Sequence, residues 1–122
     1  MTRSDLRFER ATAETAREYY GGEPPFSFKG YVAILDGRPI GIGGVYNLGH
    51  APFAFSEMKD EMRPRLKDKA RAVRLLEDLI ATYKTPVFAV AGEPTSDGLL
   101  RKLGFERTGQ MAPSGPVMVR SP

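Results

Sequence analysis

The sequence contains no cysteine and a single histidine, His50. The first absence excludes disulfides, thiolate nucleophiles, cysteine-based zinc sites and iron–sulfur clusters. One imidazole among scattered carboxylates falls short of the several spaced ligands that a zinc site takes, so no metal is expected. No apolar run approaches the roughly 20 residues of a membrane-spanning helix. Met1 to Arg10 alternates charged and apolar residues where a signal peptide carries an apolar core, which leads to the expectation of a cytoplasmic chain. Also missing are the G-x-S-x-G elbow, the P-loop lysine motif and the dinucleotide fingerprint, so hydrolase, NTPase and Rossmann readings have no support.

What is present has the balance of a water-soluble globular chain, with 41% hydrophobic and 27% charged residues. The 122 residues are read as one domain, 1–122. A chain of this size buries roughly two-thirds of its unfolded surface, enough for one core. A formal charge of +3 makes the surface mildly basic and favours anionic ligands.

Leu6, Phe8 and Arg10 alternate with charged residues as a short strand, and Thr12 offers an N-cap to a helix over Ala13 to Tyr20 that Gly21 and Gly22 stop. Pro24 and Pro25 place a loop next. Tyr31 to Leu35, the turn signal Asp36-Gly37 and the apolar run Pro39 to Tyr46 read as a hairpin. Gly41, Gly43 and Gly44 suggest a bulge or a close backbone approach in its second strand. Pro52 to Ser56 is another strand, and the chain beyond it reads either as a short helical turn capped by Ser56 or as strand running on to Pro64.

Lys67 to Tyr83 carries Ala70, Val73, Leu76, Ile80 and Tyr83 at helical spacing, with Ala72, Leu75 and Leu79 beside them. Pro86 to Ala91 is a buried-type strand. Thr95 caps a short helix that Gly104 ends, and Phe105 to Thr108 and Val117 to Arg120 are the last strands, joined by a loop containing Pro113, Gly115 and Pro116. The succession implies an α/β arrangement, a mixed central sheet flanked by helices.

That order resembles the GNAT superfamily, the acyl-CoA N-acyltransferase fold, and three stretches carry the likeness. Val32 to Gly43, VAILDGRPIGIG, is similar to the family's central hairpin. Arg63 to Leu76, RPRLKDKARAVRLL, keeps the register of its cofactor loop, with Lys67 in place of the usual Arg or Gln and Ala70 in place of a glycine. Leu99 to Phe105, LLRKLGF, is similar to the segment on the family's last helix, with Leu100 where many relatives have tyrosine. Among GNAT-like proteins the small ones of tailed phages and prophages look nearest.

The resemblance implies an acetyl-CoA-dependent N-acetyltransferase that moves an acetyl group to a primary amine of a small molecule or protein. The alternative it leaves is a catalytically degenerate phage or prophage virion or interaction protein, with virion-associated location. It implies that acetyl-CoA (coenzyme A) is held by Lys67, Asp68, Lys69, Ala70, Arg71 and Ala72, at a helix end whose unpaired amides suit a diphosphate. Arg63, Arg65, Lys67, Lys69 and Arg71 gather positive charge where the helix dipole disfavours it, which points to an anionic partner or to a solvated basic face.

For catalysis the resemblance implies a carboxylate on the strand before the loop, and Glu57 is the candidate, with Asp60 and Glu61 in reserve. The plainer reading of Glu57 is a first-turn helix carboxylate favoured by the dipole. His50, beside Tyr46 and Phe53, lines an acceptor pocket or stands on plain surface, and Tyr19 and Tyr20 are core or pocket wall. Nucleic acid ranks last as a partner, because no aromatic residue interrupts the basic run from Arg63 to Arg74.

Overall fold

The computed structural model describes residues 6–49, 51–92 and 96–122. Strand β1 (Leu6–Arg10) leads into α1 (Ala13–Tyr20), followed by β2 (Phe28–Leu35), β3 (Arg38–Leu48) and β4 (Ala51–Met58). Helix α2 (Leu66–Ala81), β5 (Val87–Val90), α3 (Ser96–Lys102), β6 (Glu106–Ala112) and β7 (Gly115–Arg120) complete the order. The strands form one mixed sheet in the order β1-β2-β3-β4-β5-β7-β6. Every neighbouring pair is antiparallel except β4 and β5. A parallel pair cannot be joined by a tight turn, and α2 supplies the crossover that carries the chain back.

Local chemistry sets the element ends. The Thr12 and Thr15 side chains each accept from the other's backbone amide, at 3.1 and 2.9 Å, closing a reciprocal cap on α1. Gly21 ends that helix at φ 70. Asp36 and Gly37 both take positive φ, 50 and 78, the pair of left-handed residues that a two-residue turn between twisted strands requires.

Beyond β4 the chain follows neither sequence alternative. The strand stops at Met58, and consecutive tight turns follow, with the amides of Met62, Arg63 and Arg65 donating to the carbonyls of Lys59, Asp60 and Met62. Met62 is the anchor, buried against Ala33 and Ile40. The expected loop around Pro113 to Pro116 is also tighter than its prolines suggest, because Ala112 already pairs with Gly115.

The sheet divides the core between its faces. On one, Val73, Leu76 and Leu79 of α2, Leu100 of α3 and Leu103 just after it pack on Val45, Ala54, Val87, Ala89 and Met118. Ala72 and Met58 extend this layer to Ala33 and Ile40. On the other, Ala16, Tyr19 and Tyr20 of the short α1 pack on Val32, Ile34, Ile42, Phe28 and Phe55. With eight residues, α1 covers only part of its face.

The hairpin β2–β3 shows both features that its glycines suggest. Ile40 is the extra residue of a bulge, since Ala33 faces Gly41 while Ile34 faces Pro39. Gly30 and Gly44 face each other, and a Cβ on Gly30 would stand 1.9 Å from the Gly43 carbonyl oxygen. Because that obstacle is backbone, Gly30→Ala should destabilise the chain by about 3 kcal/mol in urea unfolding. Gly98, inside α3, would meet no atom of the described residues beyond its own stretch of helix within 4 Å of an added Cβ, so it gives the opposite outcome, and Gly98→Ala should stabilise by roughly 0.5–1 kcal/mol.

Candidate active site at the divergence of the parallel strands

Among the described residues the pairing of β4 with β5 consists of Phe53 opposite Phe88, whereas β4 runs on to Met58. On its other edge β4 stays paired with β3 over its whole length, from Ala51 to Met58. Among the described residues the ladder between β4 and β5 is thus made at Phe53 alone, and β4 continues past it on β3. Side chains alternate along a strand. Phe53, Phe55 and Glu57 consequently share the α1 face, and Ala54 and Met58 enter the α2 side of the core.

Glu57 stands on β4 opposite Ile42, not in a helical turn. Its Oε2 accepts a hydrogen bond from the Tyr20 hydroxyl at the end of α1. Tyr19 meets Tyr20 edge to face, with centroids 5.1 Å apart, and Lys59 lies over the Tyr19 ring at 5.0 Å. Burial, helped by the Glu57 charge and opposed by Arg63, pushes the Tyr19 hydroxyl up to about 12. Burial and the hydrogen bond to Glu57 push Tyr20 up as well. Both phenols are thus neutral donors at neutral pH, and Glu57 keeps a second oxygen able to accept a proton.

On the opposite face no side-chain hydrogen bond caps the entrance of α2. Its N-cap, Arg65, makes no side-chain capping bond, and among the described residues the amides of Lys67 and Asp68 make no backbone hydrogen bond outside the helix. Asp68 binds Arg65 at 3.1 Å and Arg71 at 3.6 Å instead of capping the helix. Because α2 begins at Leu66, the amides of Ala70 and Ala72 point along the helix and belong to its ladder. Of the six residues expected to hold a cofactor, Lys67 and Asp68 offer open amides, while Lys69 donates to the Arg65 carbonyl at 2.9 Å. Ala72 is core, and Arg71 lies over the Phe8 ring at 5.0 Å.

Sequence reasoning missed the aromatic floor of the α1 face. Phe28, Tyr46, Phe53 and Phe88 stand opposite one another on β2, β3, β4 and β5. Tyr46 and Phe53 stack at 5.8 Å, and Phe53 and Phe88 lie tilted at 5.6 Å. Phe26 folds over from the loop after α1 to stack on Tyr46 at 4.0 Å. Phe55, beside Gly44, meets Phe28 across β3 at 5.0 Å. The signal in the sequence was the run of aromatics at every second position, Phe26 and Phe28, then Phe53 and Phe55; its cross-strand partner Phe88 is invisible without the register. His50 and the Thr95 cap lie outside the described residues. Asp60 and Glu61 are taken by Arg63 and Arg38, at 3.4 and 3.3 Å, and Leu100 packs into the core.

The tyrosine pair supplies a direct check. In an absorbance titration two of the five tyrosines should ionise late, Tyr19 at about 12 and Tyr20 also above the usual range. Glu57→Gln should bring both midpoints only part of the way back, since burial is the larger cause. Both pKa values are raised on folding, so their contribution to stability is complete below pH about 10; that of Tyr19 is lost as pH rises through about 12 and that of Tyr20 at higher pH still. Five coincident ordinary midpoints would remove the buried pair.

No family model and no curated protein matches the sequence. Solved structures do. A GNAT superfamily phosphinothricin acetyltransferase from Sinorhizobium meliloti, in complex with AcCoA, superposes with a TM-score of 0.63 at 21% identity, over 96% of this chain and 87% of that one. The aminoglycoside acetyltransferase AAC(6')-Ib in complex with coenzyme A gives 0.58 at 19% identity, over 96% and 95%. The ribosomal-protein-S18-alanine N-acetyltransferase from Escherichia coli gives 0.61 at 10%, over 95% and 93%. The chain has the fold of the GNAT-superfamily acetyltransferases, a mixed seven-stranded sheet flanked by helices.

Proposed function

We propose that this chain is an acetyl-CoA-dependent N-acetyltransferase acting on a primary amine of a small molecule or protein. The observation that carries the reading is the single ladder pair between the parallel strands β4 and β5, with Glu57 beyond it on one face and the cationic end of α2, without a side-chain cap, on the other. Structural neighbours crystallised with acetyl-CoA or coenzyme A support it.

The donor set fits the cosubstrate. Two amides at a helix N-terminus and the ammonium groups of Lys67 and Lys69 suit a diphosphate, and Asp68 spends its charge on Arg65 and Arg71. An amine must shed a proton to attack a thioester, and free lysine-type amines hold theirs to pH about 10.4. Glu57, held by Tyr20, accepts that proton directly or through water as the C–N bond forms and the C–S bond breaks; the departing thiolate is a good leaving group and takes up a proton. Tyr20 is a positioning residue for Glu57.

A second reading, a GNAT-fold interaction protein without catalysis, draws on two observations. The amides of Ala70 and Ala72 are closed within α2, and Leu100, where many relatives have tyrosine, is packed in the core.

Acetyl-CoA separates the two. At about 100 times its dissociation constant a ligand adds about 2.7 kcal/mol, which raises the melting temperature of a chain this size by roughly 10 °C. Lys67→Glu should abolish the shift and leave the apo melting point nearly unchanged; a flat response of the wild type at millimolar acetyl-CoA favours the interaction protein. Glu57→Gln should keep the shift and lower turnover roughly 100-fold at neutral pH. Undiminished turnover removes Glu57 as the base.

A further inference from the structure

The α1 face holds six rings, Phe26, Phe28, Tyr46, Phe53, Phe55 and Phe88, each partly open to solvent. Rings on β3, β4 and β5 lie side by side, and the core under α1 takes in Phe55 but none of Tyr46, Phe53 and Phe88. None of the six is fully exposed, and together they form a contiguous half-buried aromatic row.

The charge beside it is sparse and placed. Glu57 is the one acidic side chain on β3, β4 and β5 together. It follows Phe55 by two residues and Phe53 by four on the same face, so the carboxylate stands about 7 Å and about 13 Å from those positions along the strand. Lys59 over Tyr19 already shows a cation seated on a ring at this end of the site. Polycationic acceptors call for several carboxylates, and this floor has one.

Resting on the acetyltransferase reading, we propose that the acceptor is a primary amine carrying a flat aromatic group, the nitrogen at Glu57 and the ring against the exposed part of Phe55. A two-carbon linker between nitrogen and ring matches the step from Glu57 to Phe55. Transfer forms the amide C–N bond and breaks the thioester C–S bond. The amine proton passes to Glu57, and the released thiol carries one proton away.

The test compares 2-phenylethylamine with propylamine, and with kanamycin as a polycationic sugar, on the whole chain. Calorimetry without acetyl-CoA reads binding, and thiol release with acetyl-CoA reads turnover. The expected result is a preference for 2-phenylethylamine over propylamine of roughly 30-fold in Kd and in kcat/KM, the value of burying one ring. Phe55→Leu, which keeps apolar bulk but removes the flat surface, should cut that ratio severalfold, its acetyl-CoA melting shift confirming that it is folded, and Phe53→Leu, one step further along the strand, should change the ratio little. Equal use of the two small amines, or preference for kanamycin, overturns the proposal. So does a concentration-dependent dimer that buries the rings and shows no amine discrimination. Ring discrimination without any acetyl-CoA response sinks the acetyltransferase reading alone, and an acetyl-CoA response without ring discrimination sinks the acceptor class alone.

Discussion

The parallel contact between β4 and β5 is the constraint from which the rest follows. Parallel neighbours demand a crossover, and α2, with 16 residues, is about 24 Å long, close to the reach of the eight-residue β4 it returns beside. The ladder contact is made at Phe53 and Phe88, and β4 runs on beyond it to Met58. The alternation of side chains along β4 then assigns each residue its face: aromatic and acidic groups toward α1, Ala54 and Met58 toward the core.

Much of this was legible in the residues, and the legible part is local. Thr12, Gly21 and Asp36-Gly37 act within a few positions of themselves, so the cap, the stop and the turn stand where the sequence places them. The period of α2 is equally plain, although its start at Leu66 lies one residue before the expected Lys67 because the turns after β4 feed straight into it. What the sequence does not carry is register. Tyr20 meets Glu57 across 37 positions, and Phe88 joins the aromatic row only because β5 lies parallel to β4 at that level. The two readings of Glu57 depended on whether a strand or a helix ran through it, and the burial of Met62 ended the strand one residue beyond it.

The entrance of α2 shows how the chain carries positive charge at a helix end that repels it. Asp68 sits in the first turn, where a carboxylate is favoured, and binds a guanidinium on either side. Arg71 also rests on Phe8. These partly exposed pairs add little to stability. Their effect is spatial: two of the cations are occupied, and the ammonium groups at Lys67 and Lys69 are left beside the unpaired amides.

Gly44 has a wider reach than its size suggests. Phe28 and Phe55 belong to strands that share no hydrogen bond, with β3 between them, and their rings meet over the spot where a side chain on Gly44 would rise. A Cβ there would strike the Lys29 carbonyl at 2.0 Å, so drift cannot fill the spot. This end of the floor is frozen by its own backbone, and diversification among descendants of the chain must be confined to the far end, at Phe53 and Phe88, where one ring can be exchanged for another without moving a strand.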